Sequence, residues 1–194
     1  MRTTDVMPCF AVGASQHKGI GGSAPIITYT RGTEIVDETP DAWAIRGTLE
    51  VGGHKFDTIE RAGGYVALKP GTYMAFMESS KNSGSWTDAA GKAIKAKDAA
   101  ATPGAKFTGR RQLRPQHNQT NSKGVKAAIL VHAGNKPSHF LGCIGVGEKS
   151  AAGIEKSGTS VATMFKLLGG FTEGKAVYLK VVGERPPATK PVAP

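Results

Sequence analysis

The sequence is poor in cysteine and in aromatic residues. Its 194 residues include two cysteines, Cys9 and Cys143, and aromatic side chains make up 7 % of the chain. Two cysteines cannot build a disulfide framework, and nothing in the sequence indicates an oxidising compartment, so we expect Cys9 to be buried or free rather than paired with Cys143. Apolar residues reach 39 %, which predicts a core built mainly from small side chains.

Long apolar runs are lacking as well. No stretch approaches 18 consecutive apolar residues, so the sequence predicts no transmembrane helix. The first ten residues have no basic flank followed by an apolar run, so we expect no secretory signal. We therefore expect synthesis in the cytoplasm, with association with a virion or delivery to the periplasm by another system as routes to an outside target. Heptads and fixed repeats are missing too, which excludes coiled-coil and fibrous classes.

Glycine and proline, in contrast, are plentiful, with 26 and 11 copies, and they divide the chain into short segments. We predict an irregular N-terminal arm at residues 1–24, a single β-rich domain at residues 25–183 and a proline-rich tail at residues 184–194. The expected fold class is mainly β, as a β-sandwich or an open barrel with one helix of the C-terminal half packed on it.

Individual elements follow from local patterns. Two strand-like runs flank Gly52-Gly53, a hairpin signal. Four apolar positions at i, i+3, i+4 and i+7 predict a helix over Thr159–Leu168, with Ser157 or Thr159 as its cap and Gly169-Gly170 at its end. The remaining expected strands are Ile26–Thr30, Thr72–Met77, Arg110–Arg114, Ala127–Val131 and Lys175–Val182.

Positive charge is concentrated in the middle of the chain. Residues 81–126 carry ten cationic and two acidic side chains, so they hold a net +8 of the total +10. Residues 83–109 in this segment are rich in Ala, Gly, Lys and Ser and indicate a basic surface loop or insertion. Such a segment suits an anionic partner, which would be a cell-wall peptide, another anionic polymer or nucleic acid. The alternative is a solvated loop that keeps the protein soluble.

One segment has the residue types of a catalytic site. A predicted buried strand ends at His132, a loop with Asn135 and Pro137 follows, and Gly142-Cys143 comes next in an apolar context. A thiolate nucleophile needs a nearby base, usually an imidazole. Backbone N–H groups near Gly142 and Cys143 would stabilise an oxyanion. The alternative is a structural histidine and a buried, inert cysteine.

The series His132-Ala-Gly-Asn135-Lys-Pro, followed by Gly142-Cys143-Ile, resembles the signature of an uncharacterised domain family of phages and bacteria. The resemblance extends from about Gly47 to Val182, with residues 83–109 as an insertion. That family supplies no function to transfer.

The same residues are more weakly similar to L,D-transpeptidases, β-rich cysteine enzymes that cut and re-form peptidoglycan stem peptides through a thioester. The resemblance implies Cys143 as the nucleophile, His132 as the general base, and an oxyanion hole around Gly142. Three features depart from that pattern: Ala133 replaces a glycine, the loop between His132 and Cys143 is shorter, and Phe140 and Gly145 stand where a serine and a basic residue are expected. The missing basic residue puts substrate binding in doubt.

Further residues have two interpretations each. Asn135 can hold a loop turn or bind substrate, and His139 can orient His132 or lie on the surface. Arg114, with His117, can bind a substrate carboxylate. Glu60 can orient His132 or form a salt bridge. Zinc ligation by His132, His139 and Cys143 fits no common spacing, so we predict no metal site and no cofactor.

Two main functions follow, and nucleic-acid binding through residues 81–126 is a third possibility. The first is a cysteine-dependent hydrolase or transpeptidase acting on cell-wall peptides, with His132 and Cys143 as its catalytic pair and Asn135, Arg114 and His139 in substrate binding. The second is a non-catalytic structural or binding module of a phage virion or of a secretion or injection apparatus, with virion or effector-delivery proteins as partners. In the second, the motif serves the fold.

Overall fold

The structure, a computed structural model, describes residues 24–191. Ten strands, one α-helix and two short 3-10 turns account for its regular elements. The strands are β1 (Ile26–Thr39), β2 (Ala42–Val51), β3 (His54–Arg61), β4 (Gly71–Thr87), β5 (Ala93–Ile94), β6 (Lys106–Pro115), β7 (Val131–His132), β8 (Ile144–Ser150), β9 (Gly153–Glu155) and β10 (Ala176–Val182). The helix is α1 (Ser157–Leu167), and the 3-10 turns cover Ala96–Ala101 and Pro137–His139.

Eight of these strands form a ring of backbone pairings. The neighbours run β1-β2-β3-β8-β7-β6-β4-β10, and β10 pairs both with β4, antiparallel, and with β1, parallel. The mainly β class with one helix in the C-terminal half is thus confirmed, and the pairing closes the sheet into a barrel. Because the sheet closes, each of the eight strands pairs on both of its edges over at least part of its length.

Apolar side chains at alternate positions of the strands fill the interior of the barrel. In β10, Val177, Leu179 and Val181 are buried while the residues between them are exposed. The same two-residue period places Ile27 and Tyr29 of β1 inside. The predicted apolar stripe of α1, at Val161, Met164, Phe165 and Leu168, joins this interior cluster. Helix α1 therefore packs against the inside of the closed sheet.

The C-terminal end of α1 agrees with the prediction, and its N-terminal end does not. Gly170 N–H donates to the carbonyl of Phe165 at 2.9 Å, and both glycines after the helix have positive φ, so the predicted glycine stop is confirmed. The predicted serine or threonine cap is wrong, because the residue before the helix is Lys156 and no side chain caps the end. The Ser157 hydroxyl instead donates to the carbonyl of Val146 and accepts from the N–H of Gly134.

A buried ion pair lies within the barrel. The Glu60 carboxylate, with no exposed surface, accepts from Arg31 Nε at 2.5 Å and from the Tyr29 hydroxyl at 2.9 Å. Arg31 also donates to the carbonyls of Leu68 and Gly183, so its guanidinium connects the strand ends around it. Glu60 thus forms a salt bridge. Its proposed role in orienting His132 is wrong, because the two side chains lie on opposite faces of the sheet.

Beyond the barrel, β4 and β6 continue as a hairpin, which we call the extension (residues 80–110). After a register shift between Ser79 and Gly84, residues 84–87 pair with residues 106–109. Strand β5 adds to the outer end of β4, and the turn Ala96–Ala101 follows it. The expectation of a long loop at residues 83–109 is wrong in this respect, because backbone pairing gives the segment a strand framework.

The last features of the fold are the segment at residues 127–132 and the two ends of the described range. The predicted strand Ala127–Val131 is wrong for most of its length. Only Val131–His132 pairs as a strand, and the Ala127 N–H bonds to Gln119 outside the sheet. The predicted N-terminal arm and Cys9 lie outside the described residues, apart from residue 24. Residues 184–191 have no helix or strand. None of the helices in the described range has the length and apolar character that crossing a membrane requires.

Candidate functional site

Strands β7 and β8 place His132 and Cys143 on the same face of the sheet. The two strands pair in parallel, with Val131 opposite Ile144 and His132 opposite Gly145. Val131 and Ile144 belong to the barrel interior. Because side chains alternate along a strand, His132 and Cys143 project from the outer face. The fold therefore places His132 in β7 and Cys143 immediately before β8, two register positions apart.

The connection between the two residues folds back over this outer face. Phe140 is fully buried in a small apolar cluster that includes Cys143 and Ile59. Its ring lies 5.0 Å, centroid to centroid, from the imidazole of His132. A Cβ atom at Gly134 or at Gly145 would collide with this ring. The glycines of the motif thus provide the space that the Phe140 ring occupies.

His132 is nearly covered and is held by its own backbone neighbourhood. The side chain is 8 % exposed, and its Nδ1 lies 2.8 Å from the carbonyl oxygen of Ala133. That contact requires a proton on Nδ1. Burial lowers the pKa of His132, with smaller contributions from Arg110 and His139. Burial therefore favours the neutral imidazole over the imidazolium.

Cys143 is similarly enclosed. It is 6 % exposed, and its thiol donates to the carbonyl of Ala128 at 3.5 Å. Burial raises the pKa of the thiol, although backbone N–H groups of Leu130 and Leu141 act in the opposite direction. Burial thus favours the neutral forms of both the thiol and the imidazole, whereas a thiolate–imidazolium pair is what activates cysteine nucleophiles.

The other motif residues also have partners within the loop. Gly142 has φ of +90°, and a Cβ there would strike the carbonyl of Val66, so this position requires glycine for the close approach of two backbone segments. The Asn135 N–H donates to His139 Nδ1 at 3.1 Å, and its carbonyl accepts from the N–H of Ile154. Asn135 and His139 thus fix the loop turn and attach it to β9.

Arg114 lies on the exposed outer surface and has an internal partner. Its guanidinium binds the Glu78 carboxylate at 2.7 Å and 2.8 Å, and Gln112 donates to the same carboxylate. These bonds hold the pKa of Glu78 below its usual value despite partial burial. The three side chains line a cavity of about 400 Å³ that also includes Leu130. A substrate carboxylate would have to displace Glu78 to reach Arg114.

A second cavity, of about 460 Å³, opens beside the motif loop. It is lined by Arg110, Ala133, Gly134, Asn135, His139, Ser157 and Gly158. Neither His132 nor Cys143 contributes to its walls. Arg110 and Ser157 were not predicted as site residues, since only the return of α1 and β6 to the loop, which no local pattern shows, brings them to it. In the described range no group of three or more metal-ligating side chains is assembled.

Comparison with known proteins adds no relatives. No family model matches the chain, and neither the curated proteins nor the solved structures give a significant match.

Proposed function

We propose that the protein is a non-catalytic structural or binding module in which the segment from His132 to Cys143 stabilises the fold. The observation that supports this most strongly is the burial of Phe140 against Gly134 and Gly145, with His132 and Cys143 beneath the same connection. Every characteristic residue of the motif then has a packing or hydrogen-bonding role.

The chemistry of the two side chains supports the same proposal. A nucleophilic cysteine needs thiolate character and access to a substrate carbonyl. Cys143 has a raised pKa and bonds to a backbone carbonyl. A module of this kind suits a phage virion or a secretion or injection apparatus. That setting is part of the proposal and is taken from the motif's resemblance to a phage and bacterial domain family, for which no family model matches the chain.

A second candidate, a cysteine-dependent hydrolase or transpeptidase of cell-wall peptides, is favoured by one observation. The parallel pairing of β7 with β8 places His132 and Cys143 on one face, and the bond from Nδ1 to Ala133 leaves Nε2 as the basic nitrogen. In this candidate the connection over residues 133–143 must open before a peptide reaches the sulfur. The basic residues of 81–126 would then attract an anionic wall polymer.

Thiol chemistry and product analysis separate the two candidates. Alkylation of Cys143 is followed by peptide mass spectrometry between pH 6 and 9 in a Cys9→Ser background, with the urea-unfolded chain as reference. The module predicts that the folded protein reacts far more slowly than the unfolded chain across this range.

Peptidoglycan fragments are then incubated with the protein and with Cys143→Ala, and products are followed by mass spectrometry. Identical product profiles are expected for the module. A product made by the parent protein and lost in Cys143→Ala would overturn the module and establish the enzyme. A matched control, Ser138→Ala in the same loop, should behave as the parent in both measurements.

A further inference from the structure

The extension carries cations that no carboxylate neutralises. Lys92, Lys95, Lys97 and Lys106 are all exposed. None of them is within ion-pair distance of an acidic side chain in the described part of the chain. Asp88, one of the two acidic residues of the extension, is occupied otherwise, since its carboxylate accepts from the N–H groups of Ala90 and Lys92. The field around the extension is therefore positive.

The pairing of β4 with β6 separates two faces of the extension. Trp86 packs on Phe107, with ring centroids 5.2 Å apart, and a Cβ at Gly84 would collide with Phe107. These residues form the apolar face. Since side chains alternate along each strand, the opposite face of β4 and β6 carries polar residues, with Ala93 of β5 beside Thr87. These polar residues are Ser85, Thr87, Lys106, Thr108 and Arg110.

We propose that this polar face, with the neighbouring lysines of residues 92–97, binds the phosphate backbone of double-stranded nucleic acid. Successive side chains on one face of a strand are about 7 Å apart, so Lys106, Thr108 and Arg110 present a row of donors. Lysine, arginine, serine and threonine are the side chains that commonly contact phosphates.

The structure favours a duplex over a single strand. Recognition of single strands depends on aromatic side chains that stack on unpaired bases. Trp86 and Phe107 instead face each other and are half-buried. The polar face carries no aromatic residue, so contacts to phosphate and sugar are what it offers. Such contacts imply little dependence on base sequence. This inference is independent of the proposed module function and of the site at Cys143.

Fluorescence anisotropy tests the proposal with a labelled 30-base-pair DNA duplex of arbitrary sequence. The same measurement is made with one of its strands alone and with labelled polyglutamate, between 25 and 300 mM NaCl. We expect duplex binding at low salt that weakens by about 100-fold for a fourfold rise in salt, as release of counterions from about four phosphate contacts requires. A second duplex of different sequence should bind equally well.

Two triple variants with the same charge change identify the surface. Lys92→Gln, Lys97→Gln and Lys106→Gln together should weaken duplex binding at least tenfold and lower the salt dependence. Lys69→Gln, Lys166→Gln and Lys180→Gln together, all exposed and outside the extension, should change it less than threefold. Both variants are first checked for unchanged thermal melting.

Three results would overturn the proposal. They are absence of duplex binding at 25 mM NaCl, equal loss of binding in the two triple variants, and tighter binding of polyglutamate than of duplex. The last would assign the face to an acidic protein instead. Because Cys143 and His132 are untouched in every variant, failure here leaves the proposed module function unaffected.

Discussion

The ring of Phe140 lies directly against the α-carbon of Gly145, so that no side chain larger than hydrogen fits between the connection and strand β8. Gly145 is also the register partner of His132. One aromatic ring thus seals the outer face at the position where the two candidate catalytic strands meet. The absence of a basic side chain at residue 145, which departs from the transpeptidase pattern, has a physical reason here.

This packing makes Gly145→Ala a sensitive substitution. The added methyl group must displace Phe140 from a well-packed cluster, so we expect the free energy of unfolding to fall by about 1–3 kcal/mol. Urea denaturation followed by circular dichroism measures it. Gly158→Ala is the matched control, because a Cβ there meets no atom within 4 Å and alanine is the better helix former. Equal stability of the two variants would contradict the packing.

The Arg31–Glu60 pair leads to a second prediction. Glu60→Gln leaves the Arg31 guanidinium, whose side chain is 2 % exposed, without its counter-charge in the barrel. Removing one partner of a buried pair typically costs about 3–5 kcal/mol. We expect a loss of that order in urea denaturation.

The surface pair Lys156–Glu148, in which both side chains are more than half exposed, supplies the control for that experiment. Glu148→Gln should leave the denaturation midpoint nearly unchanged, because exposed ion pairs contribute little. Replacing Arg31 and Glu60 together by Met and Leu should destabilise less than Glu60→Gln alone. A larger loss in the double variant would show that the pair is not the source of the effect.

The fold and the candidate site differ in how much of each could be predicted from the sequence. The helix was recoverable because Val161, Met164, Phe165 and Leu168 repeat with the helical period. The hairpin at Gly52-Gly53 could be predicted because glycine readily adopts the positive φ that the turn requires. The two values are +57° and +77°. Both signals are local. The prediction of a strand at residues 127–131 was wrong because an apolar run indicates burial and does not indicate backbone pairing. Ile129 is buried without pairing as a strand.

The candidate site could be predicted from the sequence only in part, for a related reason. The sequence separates His132 and Cys143 by a loop of suitable residue types, and spacing alone predicts neither burial nor which way a side chain faces. Whether Cys143 opens to a cleft depends on Phe140, which returns over the sheet through contacts distant along the chain. The interior position of Glu60 depends in the same way on Arg31, 29 residues before it. Such long-range pairings leave no periodic signal.

Cys143 offers a third prediction about packing. Cys143→Ala removes the sulfur from the apolar cluster around Phe140, and we expect a loss of about 1–2 kcal/mol in the free energy of unfolding. Cys143→Ser should be more destabilising, because the hydroxyl is a more polar group placed in the same cluster. If Cys143→Ser is as stable as the parent, the side chain lies in a wetter environment than the structure describes. Thermal melting of both variants measures the order.

The pH dependence of stability tests the enclosure of His132. Burial lowers the pKa of His132 in the folded protein, whereas in the unfolded chain it is close to the usual value of about 6.5. Below that pH the unfolded chain binds a proton that the folded protein does not, so the free energy of unfolding falls as the pH drops from 7 to 5. The loss is at most about 2 kcal/mol at pH 5.

His132→Gln should flatten this part of the profile, measured by urea denaturation at half-unit pH steps. Burial also lowers the pKa of His117, which is 9 % exposed, so His117→Gln should flatten the profile as well. Three carboxylates have pKa values below the usual 4.5, so they lose their contribution only at lower pH, and they are Glu34, Glu38 and Glu78. A profile for His132→Gln that runs parallel to that of the parent between pH 7 and 5 would show that the imidazole is solvated. The connection over residues 133–143 would then be open in solution, which is the condition that the hydrolase candidate requires.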